Sequence, residues 1–419
     1  MSKFLIEGGK QLTGEIYVAG NKNAALPIIA ATVLTDETCI LENLPEIKDV
    51  QVMLELLKDV GKKVEKTGEM VYKISGSINK TQIDQKYASK LRASVLLLGA
   101  MLVRAKEVLL PPPGGCVIGR RNLDTHFEIC EAFGGKVIID DIGYHASILN
   151  LHPAEIFLKE QSVTGTGNAL LIASGVPGKT VIENAASEPH IGDLVDVLSK
   201  MGADIRGRGT NRLQINGITN LKGFQHCIVA DHIEAGTLAI AAACTHSEVI
   251  IHQANRKHLI MIDFYLKQMN VNSEFLDEKT LIIKPSDLIA KIKKIQVGLW
   301  PGFPTDLMSP FIVLATQSKG TTLCHDWMYE SRMFFVDKLS IMGAEIVQCD
   351  PHRVIVTGPS KLRGQELSSP DIRAGIALVI AALSARGESI IDRVELIDRG
   401  YMEIEKRLNR IGASIKRLE

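Results

Sequence analysis

Cys116 lies in the run Pro111-Pro112-Pro113-Gly114-Gly115-Cys116-Val117-Ile118-Gly119-Arg120-Arg121. A free cysteine is usually a small buried hydrophobe. One placed between a Pro-Gly-Gly turn and two arginines reads instead as a loop-tip thiol, whose cationic neighbours favour the reactive thiolate. The other six, Cys39, Cys130, Cys227, Cys244, Cys324 and Cys349, show no C-x-x-C pair or zinc spacing and read as structural, in a reducing compartment. A second set is cationic: Lys22, Arg92, Arg121, Arg332, Arg373 and Arg399. A lone arginine is ordinarily a solvated surface charge, but these recur at two equivalent places of an internal repeat, in a chain with 48 basic and 48 acidic residues. Without net charge, such clustering implies a local site for phosphate or carboxylate, which Arg forks and helix N-termini both suit. Asp306, in Pro301-Gly302-Phe303-Pro304-Thr305-Asp306, fits both a helix N-cap and a catalytic carboxylate.

The repeat that orders these residues is marked by apolar-Gly-x-x-apolar, a helix end with a left-handed cap, at Gly61, Gly134, Gly202, Gly343 and Gly412, with Asn270 in a degenerate copy. The intervals are 73, 68, 68, 73 and 69 residues. Each copy begins with an Ala-rich apolar helix, such as Ala24 to Thr32, Ala93 to Val103, Gly236 to Ala243 or Ala374 to Leu383. A β-rich strand such as Glu248 to Ile251 follows, then a polar loop, an amphipathic helix such as Asp193 to Met201, and one or two closing strands. Lys22-Asn23, Arg92, Thr164 to Thr166, Asp231 to Glu234, Asp306 and Arg373 fall at the start of the Ala-rich helix. Cys116 to Asp124, Glu188 to Asp193, Arg332 and Asp398-Arg399 fall in the loop before the amphipathic one.

The pattern Ile6-Glu7-Gly8-x-x-x-Leu12-x-Gly14 recurs from Ile215 and from Val356, while the sixth copy stops at Glu419 without it. The N-terminal strand is therefore expected to complete that copy. An α/β protein of two three-unit lobes follows: residues 22–229, carrying the Cys116 loop, and residues 1–21 with 230–419. The chain would pass between lobes near Gly20 and near Ala230, and a cleft between lobes is a favoured ligand location.

Zero net charge argues against a dedicated nucleic-acid binder or a polybasic membrane-surface protein. No apolar run reaches the ~18 residues of a membrane span, and the N-terminus lacks an apolar signal, so a cytoplasmic protein is expected. Gly165-Thr166-Gly167 and Gly207-Arg208-Gly209 do not complete a dinucleotide fingerprint, no Walker pattern occurs, and the histidines lack ligand spacing, so neither a nucleotide-hydrolysing nor a metal-dependent mechanism is supported.

Gly20-Asn21-Lys22-Asn23-Ala24-Ala25-Leu26, Gly114-Gly115-Cys116-Val117-Ile118-Gly119, Phe303-Pro304-Thr305-Asp306 and Ile397-Asp398-Arg399-Gly400-Tyr401 resemble, in order and over essentially the whole chain, motifs of the UDP-N-acetylglucosamine 1-carboxyvinyltransferases. These enolpyruvyl transferases begin peptidoglycan precursor synthesis. The resemblance implies a two-lobed inside-out α/β barrel of six βαβαββ repeats, with the helices inside. It implies transfer of the enolpyruvyl group of phosphoenolpyruvate to the 3-hydroxyl of UDP-N-acetylglucosamine, with release of phosphate. Lys22 and Asn23 would contact phosphoenolpyruvate, and Arg121 and Arg399 would hold its phosphate and carboxylate with Arg332 and Arg373 nearby. Arg92, the segment Arg121-Asn122-Leu123-Asp124, Ser162-Val163-Thr164, Asp306 and Met328 match positions that bind the UDP-sugar. Cys116 matches the cysteine that protonates the phosphoenolpyruvate methylene, forms a phospholactoyl adduct and is alkylated by fosfomycin. Asp306 would take the proton of the sugar hydroxyl, and Lys22 and Arg399 would support the reaction. No cofactor, metal, nucleic acid, membrane or obligate protein partner is implied.

This sequence departs from the commonest family pattern at Asn122, where Pro is usual, at Asn21, where Ala is usual, and at Glu160-Gln161 before Ser162-Val163. Two alternatives are the sister enzyme acting on shikimate 3-phosphate and a non-catalytic UDP-sugar-binding paralogue. The Gly-Gly-Cys loop speaks against the first. Intact Cys116, Lys22, Asp306 and Arg399 speak against the second.

Overall fold

The computed structural model describes residues 2–115 and 122–419, so Cys116 and Arg121 lie outside the described residues. Among the described residues there are six sheets, five of four strands and one of three. They share one plan. The strand after the buried helix lies parallel to one neighbour and antiparallel to a central strand, which pairs in turn with an edge strand. Lys179 to Glu183 illustrates this within Gly178–Glu183, parallel to Glu155–Phe157 and antiparallel to Arg212–Gly217, which pairs with Asp204–Arg206. The three-stranded sheet, Glu107–Leu110, Tyr144–Ile148 and Gly135–Ile139, retains its parallel neighbour only as an isolated bridge from Gln82 to Leu109.

Two compact units are formed, one of residues 2–19 and 230–419, the other of 20–115 and 122–229. In the first, the helices His232–Cys244, Met308–Gln317 and Ile372–Ser384 pack on one another, and every residue of His232–Cys244 is buried. In the second, Lys22–Ala31, Leu96–Ala105 and Val163–Ser174 do the same. Helices apolar on all sides belong inside, and small residues let them approach closely. A Cβ on Gly99 would stand 2.7 Å from Asn168 Oδ1. The strands show one buried face, as Phe4 and Ile6 do in Lys3–Glu7.

Two connections are set by the tertiary structure. Thr13–Tyr17 precedes the helix Lys22–Ala31 in the chain but pairs with Glu248–His252, whereas Gln225–Cys227 precedes His232–Cys244 and pairs with Cys39–Glu42. The chain thus leaves each unit directly after a strand. The departures are pinned by Asp231 N–H donating to the Ala19 carbonyl (2.9 Å) and Asn21 N–H donating to the Val229 carbonyl (2.7 Å). Lys3–Glu7 lies between Glu388–Asp392 and Ile415–Leu418, antiparallel to both.

Local signals held with some shifts. Gly61, Gly134, Gly202, Gly343 and Gly412 have φ of 108, 94, 115, 103 and 102°, and Asn270 has φ 59°, the left-handed geometry that a helix cap requires. The amphipathic helix expected from Asp193 begins earlier, at Pro189, because a fixed proline φ suits the first helical position. His190 to Asp193 are therefore helical rather than loop. Ala93 to Val103 is not one α-helix: Arg92–Val95 is a 3-10 turn that leads into Leu96–Ala105. Asp398 and Arg399 end a 3-10 helix, Val394–Arg399, rather than standing in an open loop. Of the six cysteines read as structural, Cys39, Cys130, Cys244 and Cys324 are buried, while Cys227 and Cys349 are exposed on short strands.

Candidate active site

In the unit of residues 230–419, Asp306 sits in a short 3-10 turn, Thr305–Leu307, whose N-cap is Pro304. The N-cap reading therefore fails, since Pro304 occupies the cap and the Asp306 carboxylate is turned to arginines. Its Oδ2 accepts from Arg373 Nε (3.0 Å) and Nη2 (2.8 Å), and its Oδ1 accepts from Arg332 Nη2 (3.3 Å). Arg373 is the second residue of Ile372–Ser384, where Asp371 caps the helix through the N–H groups of Arg373 and Ala374. Arg373 Nη1 also donates to the Tyr401 hydroxyl (3.0 Å), which lies 3.0 Å from the Thr237 hydroxyl. Arg332 is 2% exposed, with Asp326 and Asp371 at 3.9 and 4.0 Å. Burial raises the carboxyls of Asp326 and Asp231 above their usual range, opposed by the nearby arginines. The Arg373 guanidinium is held charged despite its burial by Asp306, Tyr401 and Asp231. Arg399 is half-buried at the end of its turn, and Met328 is half-buried against the core.

The unit of residues 20–229 holds the remaining described candidates. Lys22 and Asn23 open the helix Lys22–Ala31, which Asn21 caps by accepting from Ala24 N–H (3.0 Å). Asn21, a departure from the usual motif, thus has a structural task. Lys22 Nζ stands 2.6 Å from Asp49 Oδ2, in the first turn of Lys48–Asp59. Arg92 donates to the Asn122 carbonyl (3.0 Å), just before the helix Asp124–Ala132. Leu123 is buried, while Asn122 and Asp124 are exposed. Ser162 caps Val163–Ser174 by accepting from Gly165 N–H (3.2 Å), placing Val163 and Thr164 in its first turn. Glu160, a further departure, accepts from the Thr125 hydroxyl (3.2 Å).

Asp49, His126, Asn168, Thr237, Asp326 and Asp371 surround these groups and were not singled out from the sequence. Asp49 and Asp371 carry only the weak signal of an acid at a helix start, which usually serves the helix itself. His126, two residues after Asp124, is buried between Thr164 and Asn168. Its companions are 38 and 42 residues away, so no local pattern could announce it.

Two units of βαβαββ elements with buried helices define the enolpyruvyl transferase fold. The enolpyruvyl transferase NikO from Streptomyces tendae superposes with a TM-score of 0.90 at 20% identity, covering 99% of this chain and 98% of that one. EPSP synthase from Acinetobacter baumannii gives 0.79 at 18% identity, covering 100% of both. Residues 6–408 match the family model of EPSP synthase (3-phosphoshikimate 1-carboxyvinyltransferase). The chain belongs to this family of carboxyvinyl, or enolpyruvyl, transferases. Within it, the UDP-N-acetylglucosamine 1-carboxyvinyltransferase of Borrelia garinii subsp. bavariensis is 45% identical over 425 residues, with 100% of both chains covered. That of Bradyrhizobium diazoefficiens is 46% identical over 426 residues, covering 99% of this chain and 98% of the relative. That of Treponema denticola is 45% identical over 424 residues, with 99% of each covered.

Proposed function

We propose that the protein transfers the enolpyruvyl group of phosphoenolpyruvate to the 3-hydroxyl of UDP-N-acetylglucosamine in the cytoplasm, releasing phosphate at the start of peptidoglycan precursor synthesis. The observation that carries this reading is the full-length identity of 45% to relatives named for that reaction. The residue types support it. Phosphoenolpyruvate is a compact polyanion, and Lys22, Arg332, Arg373 and Arg399, with Arg121, supply cations to neutralise it. Cys116 protonates the methylene carbon, the sugar hydroxyl attacks the adjacent carbon, and a tetrahedral ketal forms. Asp306 takes the hydroxyl proton. Loss of phosphate and of one methyl proton then restores the enol in the product. Asn23 steadies phosphoenolpyruvate. Arg92, Asn122 to Asp124, Ser162 to Thr164 and Met328 hold the UDP-sugar.

Phosphate release from phosphoenolpyruvate, measured with UDP-N-acetylglucosamine and separately with shikimate 3-phosphate, tests the acceptor. Release with the UDP-sugar alone, and a product of the enolpyruvyl-UDP-N-acetylglucosamine mass, is expected. Release only with shikimate 3-phosphate would move the chain to the sister activity. Fosfomycin should add its mass at Cys116 and abolish turnover, and an unmodified, active protein would refute the role given to that thiol.

A further inference from the structure

We infer that His126 and Asn168 form a positioning pair that holds the Thr164 hydroxyl as a hydrogen-bond donor to the diphosphate of the sugar nucleotide. The inference rests on UDP-N-acetylglucosamine being the acceptor. Its logic starts at Asn168, which is 1% exposed in the helix Val163–Ser174. Asn168 Oδ1 accepts from Gly99 N–H (3.2 Å), and its Nδ2 donates to the Val95 carbonyl (2.9 Å). A flipped amide would oppose two donors and two acceptors, so the backbone fixes its orientation. The second Nδ2 hydrogen points to His126 Nδ1 at 2.8 Å. Nδ1 must then accept, which leaves the proton of the neutral imidazole on Nε2. Burial and the charge of Arg92 push His126 down to about 3, so the ring stays neutral at ordinary pH.

The Nε2–H faces Thr164 Oγ1 at 3.2 Å, and among the described residues that oxygen has no other hydrogen-bond partner. Thr164 is thereby made an acceptor towards the protein, and its own O–H is left to donate outward. It is half-buried on the first turn of a helix, where the dipole favours an anion. A hydroxyl donor there suits a phosphate oxygen.

Thr164→Val keeps the shape and removes the donor. The KM for UDP-N-acetylglucosamine should rise about tenfold or more, the effect of losing a hydrogen bond to a charged group, with kcat and the KM for phosphoenolpyruvate within about twofold. Thr164→Ser should restore it. His126→Phe should raise the same KM in the wild-type background and add nothing in the Thr164→Val background, a coupling that a merely structural histidine would not produce. By calorimetry, Thr164→Val should weaken UDP binding by the same factor and leave uridine binding unchanged. An unchanged KM in Thr164→Val, additive losses in the double variant, or equal weakening of uridine would overturn the inference. Should His126→Phe fail to fold, nitrogen NMR of His126 in the wild-type protein takes its place, with the proton expected on Nε2 and a proton on Nδ1 overturning the inference. A wild-type protein silent with the UDP-sugar removes the acceptor reading and this inference together, whereas an active wild type with an indifferent Thr164→Val removes this inference only.

Discussion

The two units repeat one architecture and treat polar groups differently. In the unit of residues 230–419, buried polarity is ionic: Asp306 faces Arg373 and Arg332, Asp326 and Asp371 flank Arg332, and Arg407 meets Glu234 at side-chain exposures of 11 and 4%. In the unit of residues 20–229, the corresponding interior holds a neutral chain from Gly99 through Asn168 and His126 to Thr164. Its buried charged groups include Lys22 with Asp49 at the start of two helices, Asp193 against His226, and Lys62, which donates to the Thr35 carbonyl. Buried ion pairs are expensive to assemble and add little net stability over an apolar replacement, yet removing one partner is strongly destabilising. An interior that tolerates several of them is built for charge, whereas a neutral network fixes the direction of a hydroxyl without attracting counter-ions.

That contrast can be broken by substitution, beginning where the effect is largest. Cys116→Ser should lower kcat about 10²- to 10⁴-fold at neutral pH, the usual contribution of a positioned acid, read as phosphate release. Full activity would remove the proton-donor role. Asp306→Ala leaves Arg373 and Arg332 without their shared carboxylate, so it should cost about 3 kcal/mol in denaturant unfolding as well as activity. The exposed Arg208–Asp196 pair is the control, and Asp196→Ala should cost under about 1 kcal/mol. Equal costs would erase the distinction between the two kinds of pair.

His126 offers a pH test of the neutral network. It titrates near 6.5 when unfolded and at about 3 when folded, so only the unfolded chain gains this proton between those values. Its contribution to stability is complete above about pH 6.5 and falls by up to about 1.4 kcal/mol per pH unit as acid is added towards pH 3. Asp231 and Asp326, with raised carboxyls, act in the opposite direction at the acid end. The difference between wild type and His126→Phe isolates the histidine, and parallel stability curves between pH 7 and 5 would contradict its burial as a neutral ring. The smallest effect is local: Gly343→Ala, at φ 103°, should cost about 1 kcal/mol with activity retained.

Much of the fold was legible because its signals are local. The capping glycines fall at a regular interval and adopt the left-handed geometry their sequence context demands, and the all-apolar helices announce their own burial. The start at Pro189 was missed because the apolar periodicity begins later than the helix. For the candidate site, residue types and motif order marked Lys22, Asp306, Arg332 and Arg373, but not the partners that orient them. Tyr401 stands next to a quoted motif residue, yet its hydrogen bonds to Arg373 and Thr237 come from helices far away in the chain.

The sequence by itself determined the sixfold repeat, the alternation of strands with buried and amphipathic helices, and the reaction family, since periodicity, cap chemistry and motif order are readable a few residues at a time. Only the tertiary structure decided that Thr13–Tyr17 and Gln225–Cys227 exchange partners, that Asp306 is shared by two arginines, and that Asn168 fixes the proton of His126. Each of these joins groups far apart in the chain, and which groups meet is chosen by the packing of whole helices and sheets rather than by any local preference of the residues concerned.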